Sequence, residues 1–564
     1  MEQPSTHYYH VLLRCTGLAA ETQDFSMPAW TPGYYKIMDY AKNVLSFHAE
    51  DEAGRPLAWQ KVSKNTWRVN CCRAKTFTVA YDVYAFAQSV ADSWLDDDRA
   101  FLSPTSLYVY PQGHLRHPMT VEVQPYPGSR QISTGLDPVE GRANTFSAPD
   151  FDTLYDSPIL IGRQEILSFE VRGIPHTVAV EDLGTFDRQK FVADLKRIVE
   201  SATAVVGEIP YRHYTFIIMR EGQGGLEHLN SCAVFNSASS LSDPAGYKRW
   251  LGFICHEYFH LYNVKSIRPI ALGPFDYDKE NYTDLLWFSE GATVYYEDLI
   301  LNRAGLRSRD ECLENYAGSI KDYEHIPGHR FQSASASSFD VWLLFFFRSG
   351  NASNATISYY DKGAALGMLL DLEIRHRTRN QKSLDDVMRV LYQTYYVGKK
   401  RGFTDEEFRQ ACEAVAGGSL AEILDTYATT VADIDYGKFL AYAGLDIDTQ
   451  PKDAKEAYLG ASTQDQDGRL VISSVERDSP AWQAGLSSQD EILALDGRRA
   501  SSKSLGQRLE SGKPGDKIRV LVSRRDVVCE KEVVLGKKSE ADFTIKPMAN
   551  PDALQSETLN AWLR

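Results

Sequence analysis

The hydrophobic period of this chain changes twice along its length, and no single sheet or helical bundle satisfies both periods. Up to about residue 170 apolar residues alternate. Phe77, Val79, Tyr81 and Val83 face one way with Thr78, Ala80 and Asp82 between them, and Met119-Thr-Val-Glu-Val123 repeats the pattern. A period of two marks strands that bury one face, and turn signals such as Thr31-Pro32-Gly33 and Pro127-Gly128 separate them. Near residue 185 the period lengthens. Phe191, Leu195, Ile198, Val199 and Ala202 recur at three- and four-residue spacings over Asp187 to Val206, and Gly207 stands where a helix stops. A strand, Tyr214 to Met219, and a glycine-rich segment, Gly222 to Gly225, follow. Helices are then expected over Tyr247 to Val264, Thr283 to Leu301, Lys362 to Arg375, Leu384 to Tyr395 and Asp405 to Val415. Beyond about residue 450 strand patterns return at Leu470 to Val475, Glu491 to Leu495 and Lys517 to Arg524.

The expected architecture is multidomain α+β: an N-terminal antiparallel β domain over 1–170, a mainly α domain over 171–450, a β-rich module over 455–540 and a tail over 541–564. With 564 residues the chain exceeds what one hydrophobic core organises. Its formal charge of -15 excludes the basic field that nucleic acid or an anionic membrane requires. The densest apolar stretch, Val341 to Phe347, falls far short of the roughly 18 residues of a membrane span. Met1 to Arg14 lacks a basic segment followed by an apolar one. Cysteines 15, 71, 72, 232, 255, 312, 412 and 529 contain no C-x-x-C pair, which predicts free thiols and a cytoplasmic protein, or a periplasmic one after removal of a leader.

His256 and His260, four residues apart on a predicted helix, present both imidazoles on one face, and Glu257 is rotated about 100° from His256. Taken alone the pair also fits two structural histidines. A second helical stretch, Leu286-Trp-Phe-Ser-Glu-Gly-Ala-Thr-Val-Tyr-Tyr-Glu297, adds the carboxylate of Glu290 in an apolar setting. Two imidazoles and one carboxylate leave a Zn²⁺ ion one open position, the pattern of a catalytic site. Glu297, seven residues on, shares the face of Glu290, where it either orients a metal-bound histidine or forms a salt bridge. Gly224-Gly225-Leu226-Glu227-His228 follows a predicted strand directly, a position that a solvated turn also explains.

The order Gly-Gly-Leu-Glu-His, His-Glu-x-x-His, Trp-Phe-Ser-Glu-Gly and Tyr359-Tyr360-Asp361-Lys362-Gly363 resembles the gluzincin aminopeptidases, the aminopeptidase N superfamily. Within it, Met27-Pro-Ala-Trp-Thr-Pro-Gly-Tyr34 and His260-Leu-Tyr-Asn-Val-Lys-Ser-Ile-Arg-Pro269 resemble the glycyl aminopeptidase family. The resemblance implies a thermolysin-like catalytic domain and one zinc ion per chain, with His256, His260 and Glu290 as ligands. It implies Glu257 as the general base and Tyr360 as donor to the oxyanion. Glu227 would bind the free α-amine of a short peptide, and Gly224 and Gly225 would let the peptide pair along their backbone. His228 stands where the commoner Gly-Ala-Met-Glu-Asn version has asparagine. Asn263, Lys265 and Arg268 read most economically as helix termination and packing.

Tyr458-Leu459-Gly460-Ala461, Ser479-Pro-Ala-Trp-Gln-Ala-Gly-Leu486 and Asp490-Glu-Ile-Leu-Ala-Leu-Asp-Gly497 resemble a bacterial-type PDZ domain over roughly 455 to 536, with Leu459 and Gly460 as the loop for a peptide carboxylate. The leading expectation is a zinc aminopeptidase preferring glycine or alanine at the N-terminus. The alternatives are an endopeptidase to which the PDZ domain presents substrate termini, and a non-catalytic PDZ scaffold.

Overall fold

A computed structural model describes residues 3–18, 20–71, 73–126, 128, 131–346 and 349–564, with backbone only at 238 and 455. Cys72, Pro127 and Phe347, named above, lie outside the described residues. The chain forms two compact units: Met1–Thr283 with Tyr296–Arg307 and Asp385–Ala411, and Asp284–Tyr295 with Ser308–Leu384 and Cys412–Arg564.

The first unit opens with antiparallel sheets. Tyr8–Thr16 and Val44–Asp51 flank Thr76–Tyr84, where Phe77, Val79, Tyr81 and Val83 all turn inward as the alternation requires. A mixed five-stranded sheet follows in the order Glu165–Val171, Ile174–Val180, Tyr214–Met219, Ser231–Phe235, Gly225–Glu227. Its central pairings are parallel and its outer ones antiparallel, so Gly225–Glu227 forms an edge. The helix Arg188–Val206 spans the predicted stretch; Asp187 caps its start and Gly207, at φ 100°, ends it.

Several helices differ from their expected bounds. Pro244–Phe259 ends five residues early, because the Lys265 and Ile267 amides bond back to the His260 and Tyr262 carbonyls and curl the chain out of the helix. Ahead of the helix Ala292–Arg303 lies a wider π turn, Trp287–Gly291, in place of regular helix from Thr283.

In the second unit the helix Tyr359–Arg377 begins three residues before the predicted start, which brings Tyr360 into its first turn. Further on, Ala461–Gln466, Arg469–Val475, Glu491–Leu495, Lys517–Arg524 and Val527–Val534 build a sheet around Leu459, Ile472, Ile518, Val520 and Val533. The segment expected as a tail is ordered structure. Ile545–Pro547 pairs with Leu445–Ile447, and the helix Ala553–Trp562 buries Trp562 against Tyr316 with parallel rings 5.6 Å apart. Among the described residues no helix is long and apolar enough to cross a membrane.

Candidate active site

The helix Pro244–Phe259 sets the register of the first two histidines from its start, where Asp243 accepts from the Gly246 amide and Pro244 occupies the first turn. His260 is the residue that closes this helix and keeps helical φ and ψ, so the four-residue spacing from His256 survives the early end. The Nε2 atoms of His256 and His260 stand 2.9 Å apart. The Nδ1–H of His260 donates to the Asn263 carbonyl at 2.7 Å, which leaves the lone pair on Nε2. One ligand atom from each of His256, His260 and Glu290 lies within 4.8 Å of the other two. The donor set of two imidazoles and a buried carboxylate fits a divalent ion such as zinc.

Glu290 lies in the π turn, and Tyr360 in the first turn of the helix packed on it. The contact is backbone against backbone. A Cβ on Gly291 or on Gly363 would strike the opposite glycine, and one on Gly363 would also strike the Trp287 carbonyl. That close approach is the physical reason for glycine in the Tyr-x-Lys-Gly pattern. Lys362 between them is buried, donates to the Thr430 carbonyl at 3.1 Å and is lowered to about 8 by burial. The Tyr360 ring stacks on Tyr359 at 4.7 Å and lines a cavity of about 250 Å³ with Val341, Phe345 and Ile357.

In the first unit Gly225 faces the general-base candidate: a Cβ there would come within 2.5 Å of Glu257 Oε1. Gly224 takes φ +90°, a conformation that only glycine adopts without strain. Two residues past Gly225, Glu227 is 5% exposed, and its Oε1 accepts no hydrogen bond among the described residues. Gly33 of the N-terminal β domain closes over it, with room for no side chain: a Cβ at Gly33 would lie 2.5 Å from that oxygen. Glu297 sits against Gly252, one helical turn before His256, and 3.5 Å from Arg307. Burial and Asp298 raise its carboxyl to about 7, while His256 and Arg307 oppose them.

Leu459 and Gly460 are held by their own domain. The Leu459 carbonyl accepts from the Ala481 amide at 2.9 Å, and the Gly460 carbonyl from Glu476 at 2.8 Å and from Ser479 Oγ at 3.1 Å. Gly460 has φ +75° and packs on Ser479, and the exposed strand Ala461–Gln466 after it is the edge of its sheet.

Sequence reasoning missed three participants. Lys265, set aside as packing, lies between the Glu227 carboxylate and that of Asp156 from the N-terminal domain. Gly33 was read only as part of a turn. The one signal for Lys265 and Gly33 was their place in the two family-like segments, and nothing in the chain pointed to Asp156.

Residues 1–163 match the family model for the peptidase M61 N-terminal domain, residues 249–366 that for M61 glycyl aminopeptidase and residues 457–535 that for a PDZ domain. The crystal structure of an aminopeptidase N family protein from Idiomarina loihiensis superposes with a TM-score of 0.91 at 28% identity, covering 100% of this chain and 98% of that one. An M1 zinc metallopeptidase from Deinococcus radiodurans superposes over 77% of this chain and 92% of its own at 10% identity and a TM-score of 0.48. A probable CtpA-like serine protease of Staphylococcus haemolyticus is 25% identical over 158 residues, 28% of this chain, so the chain spans 29% of that relative's length. With both M61 models matched in order ahead of the PDZ domain, and one solved structure followed from end to end, the chain is a metallopeptidase that carries M61 N-terminal and catalytic domains followed by a PDZ domain.

Proposed function

We propose that this protein is a zinc-dependent aminopeptidase that removes the N-terminal residue, preferably glycine or alanine, from short peptides. The observation that carries this reading is the three-residue edge strand Gly225–Glu227. It has Glu257 at one end and, at the other, the buried Glu227 carboxylate, whose Oε1 accepts no hydrogen bond among the described residues. Two strand residues span about 6.6 Å, which is room for one aminoacyl unit between an amine and the carbonyl under attack. A peptide lying along this unpaired edge adds as a further strand, and Gly224 and Gly225 leave its backbone space to approach.

His256, His260 and Glu290 would hold one zinc ion, which when bound acidifies water and polarises the peptide carbonyl. Glu257 takes the proton from the attacking water and passes it to the departing amine. Tyr360 donates its hydroxyl to the oxygen that gains negative charge. Glu227 pairs with the substrate ammonium and sets which bond reaches Glu257. Glu297 orients His256 by its charge. The Gly33 wall over Glu227 supports a small first residue, and the free edge Ala461–Gln466 beside Leu459 and Gly460 supports docking of a peptide C-terminus on the PDZ domain. Among the described residues seven cysteines form no disulfide, six of them buried, which fits a reducing, cytoplasmic setting.

A panel of aminoacyl amides with and without chelator tests the reading. It expects turnover highest on glycyl and alanyl amides, abolished by chelation and restored by zinc. Turnover that survives chelation, or a panel led by large residues, contradicts it.

A further inference from the structure

Behind Glu227 lies a charged cluster that the reaction above does not use. Asp156, the residue closing the short helix Phe151–Tyr155 of the N-terminal domain, accepts from Lys265 Nζ at 2.9 Å and from the Leu229 amide at 2.9 Å. His228 Nδ1 lies 3.0 Å from the same carboxylate. Lys265 Nζ stands 3.7 Å from Glu227 Oε1. Glu227, His228 and Lys265 are all buried. Burial raises Asp156, but Lys265 and His228 overcome it and hold the carboxyl at about 2. Burial works against the Lys265 ammonium too, and Asp156 followed by Glu227 more than restores it.

The arrangement is unequal in a way that matters for a ligand. Lys265 makes a full hydrogen-bonded ion pair with Asp156, while 3.7 Å to Glu227 is too long for a hydrogen bond yet close enough for strong attraction in a buried setting. Glu227 Oε1 therefore has a compensating charge without having its lone pairs consumed, and it accepts no hydrogen bond among the described residues. A closer lysine would occupy that oxygen. No cation at all would leave a buried carboxylate that could neither be stable nor keep its direction. Asp156 and Glu227 share the one ammonium of Lys265, which leaves the Glu227 carboxylate attractive to a second cation such as a peptide's α-ammonium.

We infer that Lys265, clamped by Asp156, is a positioning residue for the amine anchor: it compensates and aims the Glu227 carboxylate while leaving its oxygen open to the α-ammonium of a peptide. This rests on the proposed role of Glu227 and adds that the N-terminal β domain, through Asp156, takes part in recognising the free N-terminus. A structural lysine would support the fold alone, whereas a positioning lysine affects binding of one class of substrate.

The test compares steady-state kinetics on a glycyl peptide and its N-acetylated form, using full-length zinc-loaded protein. In Lys265→Gln, which still donates to Asp156 but carries no charge, KM for the free peptide is expected to rise about tenfold with kcat within about twofold, and the acetylated peptide to be unaffected. Lys265→Arg, which restores the charge, should bring KM back to within about threefold of the parent. An unchanged KM in Lys265→Gln, or an equal loss on both peptides, overturns the inference. If Lys265→Gln melts below the assay temperature, the isosteric Asp156→Asn is read by the same two criteria. A parent enzyme that cuts both peptides equally well refutes the amine-anchor reading itself. A parent that favours the free peptide with an unchanged Lys265→Gln refutes only the part assigned to Lys265.

Discussion

Glu227 and Tyr360, the groups proposed to bind the substrate's α-amine and the oxygen of its reacting carbonyl, are held in place by different physics. Glu227 is held by charge: Lys265 Nζ, itself paired with Asp156 at 2.9 Å, stands 3.7 Å from the buried Oε1, which accepts no hydrogen bond among the described residues. Tyr360 is held by contact: its helix meets the Glu290 turn glycine to glycine, with no room for a methyl group. The difference follows from the jobs. A group that binds a cation needs compensating charge and a free lone pair, which packing cannot supply. A phenol that must reach one oxygen needs a fixed position, which close backbone contact supplies.

The comparison can be broken or sharpened by substitution. The largest effect is expected at Glu257→Gln, where kcat should fall about a thousandfold with the metal content intact, because the proton transfer itself is lost. If activity survives, Glu257 is not the base and the ruler along Gly225–Glu227 has no origin. Next comes the contact-held end. Gly363→Ala should lower kcat together with stability, by about 1 to 3 kcal/mol in urea unfolding, since the added methyl strikes the Trp287 carbonyl. Tyr360→Phe should lower kcat about a hundredfold and leave stability alone, which separates the phenol from its mounting.

A third measurement concerns a buried imidazole elsewhere in the first unit. His176 stacks on Phe169, bonds Tyr211 at 2.8 Å and is lowered by burial to about 4. Its folded value lies below the ordinary 6.5, so the unfolded chain binds the proton first. Stability is then full above about pH 6.5 and falls by about 3 kcal/mol as pH drops towards 4. His176→Phe, which leaves Tyr211 its bond to Tyr258, should flatten that slope in thermal melts. The smallest effect is expected at the C-terminus. Trp562→Phe keeps the stack on Tyr316 and removes one hydrogen bond to the Tyr295 hydroxyl, a loss of about 1 kcal/mol.

What was legible in the chain follows the same division. Periodic features could be read directly. The helix Arg188–Val206, the strand Tyr214–Met219 and the spacing of His256 and His260 depend on residues close in sequence, and local geometry decides them. The π turn at Glu290 could not be read, because one extra residue in a turn leaves the apolar pattern intact, and the Gly363 backbone packed against it lies far along the chain. Tyr360 was found only through the Tyr-x-Lys-Gly pattern, whose glycine the packing now explains. The cluster behind Glu227 joins Asp156 to Lys265 across 109 positions, and pairing at that range has no local signature. The C-terminal helix carried a signal that went unused: Asp552 and Gln555 form a capping box ahead of it.

The central claim, that Glu227 makes this metallopeptidase an aminopeptidase, is tested most directly by the ratio of kcat/KM for a free glycyl peptide to that for its N-acetylated form, in the parent and in Glu227→Gln. The account predicts a ratio of at least about a hundred in the parent, collapsing towards one in the variant through loss on the free peptide alone. A parent ratio near one, or a variant that keeps the parent's ratio, would contradict it.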